Sequence, residues 1–578
     1  MDPGFSIKTV MRLLKFLLVI LSFFTICIFS CKKDGDKNPI PDLVLSTEGL
    51  SFSNQGETKF FYVKSNMQWN ATSSESWLTL SLTNGAAGTI KIDVSATANS
   101  QIADRTATIT VTSGDATKTI SVLQSASGLF SIDKTEFSIN DDLQELTLKV
   151  ESNSVYNVEF GADWLSRKSE PVHSGTTYTE TFIVKRNGNI FDRSATITLK
   201  KGNETNTVTV KQTANAKSIT GTNVGMNSDA VALAAKIKIG WNLGNSLEAA
   251  ASATSAGETS WGNPRVTKEL IDAVKAAGFN AVRIPCAWSG YIEDQVTYKI
   301  KDSWLERVKE VIDYCVSNDI YAIIDIHWDG GWLEENPTYA AQEAVNKKQK
   351  ALWEQIAVYF RDYDEHLLFA GTNEVHAGYG NPTTENITVQ QSYNQTFVDA
   401  VRATGGKNAY RNLVVQSYNT NIQHAISYFT MPNDAIAKRL MAEVHFYDPW
   451  DFAGDETSNI YLWGKDFIGS PNVSTWGQEA WVDSQFASIK TKFVDAGIPV
   501  ILGEYGAILR TSAANQQNHI KARNYYLSYV TKAAKNNGMV PFYWDNGNTG
   551  NNGFGLFNRS TAQVVHQDAV NVLVDAIK

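Results

Sequence analysis

The sequence is poor in cysteine, and this shortage excludes a small disulfide-dense scaffold. Only four of its 578 residues are cysteine, and Cys27 and Cys31 belong to an N-terminal leader. The other two, Cys286 and Cys315, are either buried free thiols or a bridge, and we expect free thiols because nothing in the sequence sets their distance. No cysteine and histidine spacing typical of a metal site occurs, so neither a metal nor a cofactor is expected.

The chain also lacks a basic run after residue 37, and its formal net charge is −9. Both features argue against a nucleic-acid partner and favour an uncharged or weakly charged ligand. Aromatic residues, in contrast, are abundant, with 15 Trp, 22 Tyr and 26 Phe. Such rings fill cores and also stack on the faces of sugars.

No long apolar run is present, and the longest candidate, residues 16–30, is short for a membrane-spanning helix of about 20 residues. Basic residues precede the run and Lys32 follows it, so residues 1–31 are predicted to be a secretory signal. Its end, IFSC, resembles a bacterial lipobox, which implies lipidation of Cys31. We expect a secreted monomer anchored by lipid at the outer membrane or cell surface of a Gram-negative bacterium. Plain secretion and a retained anchor are the alternatives.

Two copies of one unit follow the leader. WNATSSESWLTL (69–80) matches YNVEFGADWLSRK (156–168), and Arg105 and Arg193 occupy corresponding places 88 residues apart. A period of this length is that of a domain, and runs such as TATITV between Gly, Asn and Asp turns are typical of β-sandwiches. The sequence therefore predicts a leader at 1–31, a linker at 32–42 and two immunoglobulin-like sandwiches at 43–126 and 127–214. A second linker at 215–227 and a C-terminal domain at 228–578 follow.

The pair resembles the BACON family of small modules that precede bacterial polysaccharidases, through the Trp-Leu and Asp-Arg-(Ser/Thr)-Ala-Thr-Ile-Thr motifs. That family's name implies carbohydrate binding. Trp77 and Trp164 are the candidate sugar platforms, but each recurs beside a leucine at a corresponding position, as a core ring does. We expect Trp77 and Trp164 to be core residues and the two modules to be spacers, with sugar binding as the alternative.

From about residue 228, apolar strands alternate with amphipathic helical patterns such as KELIDAVKAAG. Strands are predicted to start near Ile237, Ala281, Tyr321, Leu367, Asn412, Leu440, Ile498 and Met539. Eight such units predict a C-terminal (β/α)8 TIM barrel, with a doubly wound sheet as the alternative. The predicted fold is thus multidomain, with two sandwiches before the barrel.

Active sites of such barrels lie at the C-terminal ends of the strands. Seven of the eight predicted strands end on polar or aromatic side chains: Asn245, Arg283, His327, Asn373 with Glu374, His445 with Tyr447, Glu504, and Trp544. A single strand-end glutamate is as readily a cap or an ion-pair partner, so the prediction depends on convergence of the whole set.

Glu374 and Glu504 are predicted to face each other across the barrel mouth. Retaining glycoside hydrolysis needs two carboxyls roughly 5 to 5.5 Å apart, one as acid and base and one as nucleophile. We expect Arg283 to keep Glu504 ionised, and the proximity of Glu504 to raise the pKa of Glu374. Asn373 is placed to bond a sugar hydroxyl, Tyr447 to touch the nucleophile, and Trp544 to floor the reacting sugar's subsite.

The motifs GWNLGNSLE, DIHWDGGWL, TNEV, EVHFYDPW, GEYG and FYWDNG resemble glycoside hydrolase family 5, subfamily 4. The resemblance implies a retaining endo-β-1,4-glucanase in which Glu374 is the acid/base and Glu504 the nucleophile. Arg283, His327, Asn373, His445, Tyr447 and Trp544 match supporting positions. Trp328 stands where the subfamily often has a second histidine, which puts the glycone-side subsite in doubt, and Val375 stands where proline is common.

A plant β-glucan, with xyloglucan as the first choice, is therefore the expected polysaccharide partner. A mixed-linkage glucanase, a cellulase or a β-mannanase is the alternative within enzymes. A catalytically inactive surface glycan-binding protein is the alternative outside them. The long stretch after Tyr447 carries Trp450, Tyr461, Trp463 and Trp476, which are either substrate walls or a self-packed lid. Trp261 and Trp332 in earlier loops are similar candidates.

Overall fold

Short strands with alternating buried and exposed side chains build the N-terminal part of the chain. The computed structural model describes residues 40–578; the predicted leader, Cys31 and most of the first linker lie outside the described residues. The described chain forms two compact units, residues 40–131 with 151–154, and residues 132–150 with 155–578. The first unit holds the first sandwich, and the second unit holds most of the second sandwich and the barrel.

The first sandwich has nine strands in two sheets, and its core includes the fully buried Phe61, Trp69 and Ile92. In chain order, one sheet runs first, third, seventh, fifth, and the other runs second, ninth, eighth, fourth, sixth. The strands are Leu43–Leu45, Gly49–Phe52, Thr58–Ser65, Trp69–Ser73, Leu78–Leu80, Asn84–Gly85, Gly88–Ala96, Arg105–Ser113 and Ala116–Gln124.

The second sandwich repeats this arrangement, including a parallel pairing of its second and last strands, except that its sixth strand pairs with the seventh instead of the fourth. Its strands are Phe130–Ile132, Glu136–Ile139, Gln144–Ser152, Asn157–Phe160, Leu165–Arg167, Val172–Ser174, Thr177–Val184, Arg193–Lys201 and Glu204–Gln212. Two sandwiches that share every other pairing confirm the predicted fold class for this part of the chain.

The repeated Asp-Arg motif is structural in both copies. The Arg105 guanidinium lies 4.3 Å from the ring centre of Trp77, and its Nε donates to Gln124 Oε1 at 2.8 Å. In the second copy, Arg193 stacks on Trp164 at 4.5 Å and donates to Gln212 Oε1 at 2.9 Å. Trp164 is buried and Trp77 is half-buried against the core, so each ring has an arginine on its face where a sugar would have to stack.

Eight parallel strands close into a barrel, which confirms the predicted (β/α)8 architecture. They are Gly240–Leu243, Ala281–Ile284, Tyr321–Ile324, Leu367–Ala370, Leu413–Asn421, Leu440–Phe446, Val500–Tyr505 and Met539–Asp545. Most of their residues are buried on both faces, since neighbouring helices cover the outside of the barrel. The predicted starts agree with these bounds to within three residues.

Amphipathic helices follow the strands, and Asp302–Val316 buries Leu305, Val308 and Ile312 on one face. The helices are Ala230–Lys236, Lys268–Ala276, Asp302–Val316, Tyr339–Tyr359, Thr384–Ala403, Ile422–Tyr428, Trp450–Ala453, Glu479–Lys492, Gln516–Asn536 and Gln567–Asp575. Short hairpin strands lie in the loops at Ala250–Ser252, Ser255–Ala256, Ile292–Asp294, Lys299–Ile300, Phe557–Asn558 and Gln563–Val564. Single 3-10 turns span Ser289–Tyr291, Asp329–Gly331, Gly406–Ala409, Lys465–Phe467 and Val494–Ala496.

The second sandwich is bonded directly to the barrel. Asn189, which is buried, donates to Asp302 Oδ1 at 3.0 Å, and Arg193 Nη1 lies 3.6 Å from Asp302 Oδ2. Gly188 packs on the ring of Tyr359 so closely that a Cβ there would lie 2.7 Å from a ring carbon. These contacts explain why sandwich and barrel form one compact unit.

The segment 215–227, predicted as a linker, lies along the barrel. The buried Arg361 donates to Asn215 Oδ1 at 3.0 Å and to the carbonyl of Ala216 at 2.9 Å, and Ile219 forms a bridge with Gly405. Several of its backbone groups are therefore hydrogen-bonded to the barrel.

Cys286 and Cys315 are both buried free thiols, as expected. Within residues 40–578, every helix is too short or too polar to cross a membrane.

Candidate active site

The C-terminal ends of the barrel strands surround a cavity of about 740 Å³. It is lined by Trp261, His327, Trp328, Glu334, Asn373, Glu374, Tyr379, Tyr447, Trp450, Glu504, Trp544 and Phe554. Seven of the predicted site residues are in this set, and Arg283 and His445 lie beneath it in contact with the two glutamates. The convergence on which the sequence prediction depends is therefore present.

Glu504 is fixed at the end of the seventh strand by two donors. Arg283 Nη1 donates to its Oε1 at 3.0 Å, and the Tyr447 hydroxyl donates to its Oε2 at 2.9 Å. The carboxylate is 6% exposed, so both oxygens are oriented with little access to water. Charge-assisted bonds of this kind stabilise the ionised form of a carboxylate.

Arg283 is fully buried and holds three carboxylates at once. Its Nε lies 3.1 Å from Glu443 Oε1, and its Nη2 lies 2.9 Å from Asp325 Oδ2, in addition to the bond to Glu504. Asn242 on the first strand accepts from Arg283 Nη1 at 3.2 Å. The Glu443 carboxylate fits because residue 503 is glycine: a Cβ there would lie 2.0 Å from Glu443 Oε1.

Glu374 lies at the end of the fourth strand, and its principal partner is His445. Nδ1 of the imidazole is 2.6 Å from Glu374 Oε1, and Nε2 is 3.2 Å from Glu443 Oε1. Burial lowers the pKa of His445, but the charge of Glu504 and the hydrogen bonds to both glutamates outweigh it and raise that pKa to about 10. The imidazole is thus protonated at neutral pH and donates to both carboxylates.

The expectation that the pKa of Glu374 is raised is wrong for this arrangement. Burial does raise it, but the hydrogen bond and charge of His445 and the nearby imidazole of His327 outweigh burial, so the pKa of Glu374 lies below its usual value. The expectation considered the neighbouring Glu504 alone. Glu374 and His445, joined by the 2.6 Å hydrogen bond, therefore titrate as one pair and not as two independent groups.

One carboxyl oxygen of Glu374, one of Glu504 and one ring nitrogen of His445 lie within 4.8 Å of one another. Carboxyls this close fit a retaining pair better than an inverting pair, whose carboxyls lie about 6.5–9.5 Å apart to leave room for a water. The same three groups have the spacing of a cation site. However, the His445 nitrogens are both engaged with carboxylates and Glu504 is already neutralised by Arg283, so the donor set suits proton transfer better than metal binding.

Asn373 and His327 flank the pair. Asn373 Oδ1 accepts from Arg283 at 2.8 Å, and its Nδ2 donates to Glu334 Oε2 at 3.1 Å. His327 lies 3.2 Å from Asp325 and has a pKa raised to about 9, because the Asp325 charge outweighs burial. Its ring lies parallel to that of Trp544 at 6.0 Å. The two rings are therefore fixed side by side in the cavity wall.

The loop aromatics divide between the two predicted uses. Trp261, Trp328 and Trp450 line the cavity, and Trp261 and Trp450 are 40% and 54% exposed, as substrate walls would be. Trp463 is fully buried and Tyr461 nearly so, as in a self-packed loop. The remaining two, Trp332 and Trp476, are not among the lining residues; Lys348 covers the ring of Trp332, and Trp476 packs on Trp481. Trp328 is held by a bond from its Nε1 to Glu335 at 2.8 Å.

Asn245 lies just outside the cavity lining, in a turn with a positive φ of 56°. Its backbone NH donates to Glu248, whose second oxygen accepts from Ser246 at 2.8 Å. Asn263 Nδ2 donates to the Asn245 carbonyl at 2.9 Å. The polar residues that follow the first strand therefore build this turn, while Asn242 within the strand supplies the contact to Arg283.

Sequence reasoning missed the acids that support the site, Asp325, Glu334 and Glu443, as well as Tyr379 and Phe554. A signal was present for two of them. Glu443 and Asp325 each precede a predicted site histidine by two residues, and alternate residues of a strand point to the same side. Glu334, Tyr379 and Phe554 lie in loops, where the sequence has no such periodicity.

A carboxyl pair at this separation, at the mouth of a (β/α)8 barrel and between aromatic walls, defines the protein as a glycoside hydrolase. A family model described as cellulase (glycosyl hydrolase family 5) matches residues 246–550. The chain belongs to glycoside hydrolase family 5. Models described as a viral BACON domain and as a putative N-terminal binding domain match residues 42–127 and 151–213, which confirms the resemblance of the sandwiches.

Several xyloglucan-cleaving proteins are similar to this chain. The xyloglucan-specific endo-beta-1,4-glucanase BoGH5A of Bacteroides ovatus is 40% identical over 436 residues, covering 72% of this chain and 85% of that protein. A solved structure of a Bacteroides ovatus GH5 xyloglucanase with a XXXG heptasaccharide covers 93% of this chain and 100% of that chain, with a TM-score of 0.60 and 33% identity. A family 5 xyloglucanase from Paenibacillus pabuli is 43% identical with a TM-score of 0.58, covering 60% of this chain and 100% of that one.

Proposed function

We propose that the protein is a retaining endo-β-1,4-glucanase that cleaves internal bonds of xyloglucan by double displacement. The observation that carries the mechanism is the Glu374 and Glu504 pair, in which one oxygen of each carboxyl group lies within 4.8 Å of the other. The nucleophile is held by Arg283 and Tyr447, and the acid by His445.

In the first step, Glu504 attacks the anomeric carbon while Glu374 protonates the leaving oxygen. The proton reaches Glu374 from His445 Nδ1, 2.6 Å away, as negative charge develops on the leaving oxygen. As Glu504 loses its charge to the new glycosyl bond, Tyr447 and Arg283 remain to stabilise the carboxyl as a leaving group. In the second step, Glu374 removes a proton from water, which attacks the same carbon and releases Glu504, and this proton restores the one that His445 gave up in the first step.

Support for xyloglucan comes from the relatives and from the shape of the cavity. Chains up to 43% identical to this one are described as xyloglucanases. The cavity has exposed tryptophans at its rim, Trp261 and Trp450, which offer apolar faces beside the glucan backbone for xylose branches. The resemblance of the motifs to subfamily 4 also supports a β-1,4-glucan such as xyloglucan as the substrate.

Initial rates on xyloglucan, barley mixed-linkage glucan, carboxymethylcellulose and glucomannan, with sizing of products, test the substrate. Xyloglucan should be cut internally and at least as fast as the others. Strong mannan cleavage with negligible xyloglucan cleavage would favour the β-mannanase alternative, and preference for unbranched glucans would favour a cellulase or mixed-linkage enzyme.

Glu504→Gln tests the mechanism, since an amide cannot form the glycosyl intermediate. Turnover should be abolished while the fold and substrate binding persist. A Glu504→Gln protein with near wild-type rates would refute the nucleophile, whereas a wild type that binds xyloglucan without cutting it would favour the glycan-binding alternative.

We further propose that Cys31 is lipidated and that the two sandwiches are spacers between this anchor and the barrel. The leader and IFSC sequence support the anchor, and the arginine-covered Trp77 and Trp164 support the spacer role. Radiolabelled palmitate should enter the wild-type protein in a lipoprotein-processing host but not a Cys31→Ala variant. Equal absence of label from both would refute the anchor.

A further inference from the structure

Tyr379 is an exposed aromatic residue in the active-site cavity that the mechanism above does not use. Its side chain is 81% exposed, although it lines the same cavity as the two catalytic glutamates. A large ring so open to water beside a reacting centre leaves most of its surface available for a ligand. Its environment shows which part of the substrate it would meet.

The ring is held by a short chain of contacts that starts at the acid. Tyr379 stacks on the imidazole of His376, with ring centres 4.8 Å apart and an angle of 28° between planes. His376 Nδ1 bonds to the Glu374 carbonyl at 2.6 Å, and its NH donates to the Glu334 carbonyl at 2.7 Å. The loop is pinned further by Tyr418, whose hydroxyl accepts from Ala377 NH at 2.8 Å. The ring is thus exposed but positioned.

The place of Tyr379 relative to the bond that breaks follows from the role of Glu374. A general acid must lie beside the leaving oxygen, so its side of the cleft holds the leaving half of the polysaccharide. Tyr379 is on the same loop, five residues beyond Glu374, and linked to it through His376. His327 and Trp544, whose rings lie parallel with centres 6.0 Å apart, belong to the ends of other strands, the third and the eighth.

We propose that Tyr379 is a specificity-determining residue that stacks on a sugar of the leaving half and holds a carbohydrate acceptor in the reverse direction. This inference rests on the proposed retaining mechanism. After the first step, the glycosyl group is bonded to Glu504. An acceptor sugar's hydroxyl then attacks the anomeric carbon, the bond to Glu504 breaks with its electron pair returning to the carboxylate, and the hydroxyl proton passes to Glu374.

The ratio of glycosyl transfer to an acceptor sugar over hydrolysis by water measures this role of Tyr379. Both products arise from one intermediate, so a general loss of folding or of donor binding cancels in their ratio. With 2,4-dinitrophenyl β-cellobioside as donor and cellobiose as acceptor, Tyr379→Ala should lower the ratio of transfer to hydrolysis about tenfold, or ~1.4 kcal/mol. Tyr379→Phe keeps the ring and should stay within about twofold of wild type.

Tyr339→Ala is the matched control, since this tyrosine is also exposed, at 56%, and is not among the residues that line the cavity. Its ratio should equal that of the wild type. A Tyr379→Ala ratio within twofold of wild type, or an equal fall of the ratio in Tyr339→Ala, would overturn the role of Tyr379 and leave the proposed function standing. Hydrolysis without any transfer at saturating cellobiose would also overturn it. A wild type that releases no dinitrophenol would instead overturn the proposed function and this inference with it.

Discussion

Asn215→Ala should destabilise the barrel although Asn215 lies in a segment that reads as a linker. The Asn215 side chain is 6% exposed and accepts a hydrogen bond at 3.0 Å from Nη2 of Arg361, which is itself 3% exposed. The substitution leaves this buried guanidinium donor without that acceptor. The other Arg361 bonds, to the carbonyls of Ala216 and Thr404, come from Nη1 and remain.

The expected magnitude follows from the charge of the donor. A hydrogen bond to a charged group contributes about 1.5–3 kcal/mol, and its loss in a buried place is not compensated by water. We therefore expect the free energy of unfolding to fall by about 2 kcal/mol. For the compact unit of residues 132–150 and 155–578, whose unfolding entropy is about 2.1 cal/mol/K per residue, this corresponds to a Tm lower by about 2 °C. The value of kcat/KM should not change, because neither Asn215 nor Arg361 lines the cavity.

Thermal unfolding monitored by circular dichroism, beside kcat/KM on a soluble glucan, measures both effects. Asn459→Ala is the control, because Asn459 is exposed and a surface substitution is expected to lie within about 0.5 kcal/mol. If the Asn215 variant melts within 1 °C of wild type, the bond to Arg361 is not stabilising and the segment behaves as a linker. A fall in kcat/KM without a fall in Tm would equally refute the reasoning.

Three further predictions concern the modules and the proton. Deletion of residues 43–214 should leave kcat/KM on soluble glucan within about threefold, or ~0.6 kcal/mol, and a larger loss in a variant whose barrel remains folded by circular dichroism would show that a sandwich takes part in catalysis. Glu374→Ala should be rescued by azide on an activated aryl glycoside, with a β-glycosyl azide as product; no acceleration would exclude Glu374 as the acid/base. In the wild type, kcat/KM should fall as the pH rises towards about 10, where the pair of His445 and Glu374 loses its proton. In His445→Asn, Glu374 must hold the proton alone, so this alkaline limb should move to lower pH, and an unchanged limb would refute the shared proton.

The barrel and the converging strand ends were predictable because each depends on a local pattern. An apolar run that ends on a polar residue is visible in the sequence, and closure of eight parallel strands brings all such ends to one rim. Glu374 and Glu504 therefore came together from strand order alone. The repeat was equally visible, because two copies of one motif must fold alike.

The contacts of the second sandwich with the barrel could not be predicted in the same way. Asn189, Asn215 and Arg361 are polar residues in loops or at helix ends, where exposure is the usual state. Their burial results from contact between chain segments distant in sequence, such as 215 and 361, and no periodicity marks it. For the same reason, the exposed Tyr379 could be assigned to the cavity only from the structure.

The lowering of the pKa of Glu374 was not predicted, because it depends on charged groups that are buried beneath the cavity. Glu504 alone would raise it, as a like charge does. The structure adds two more buried carboxylates, Glu443 and Asp325, around the single guanidinium of Arg283. One cation cannot balance three buried anions, so the imidazoles beside them take up protons, and His445 then lies between Glu443 and Glu374 as a charged donor. The acid of the reaction is therefore better described as a hydrogen-bonded pair with one proton than as a single carboxyl, and the buried Glu443 helps to determine where that proton rests.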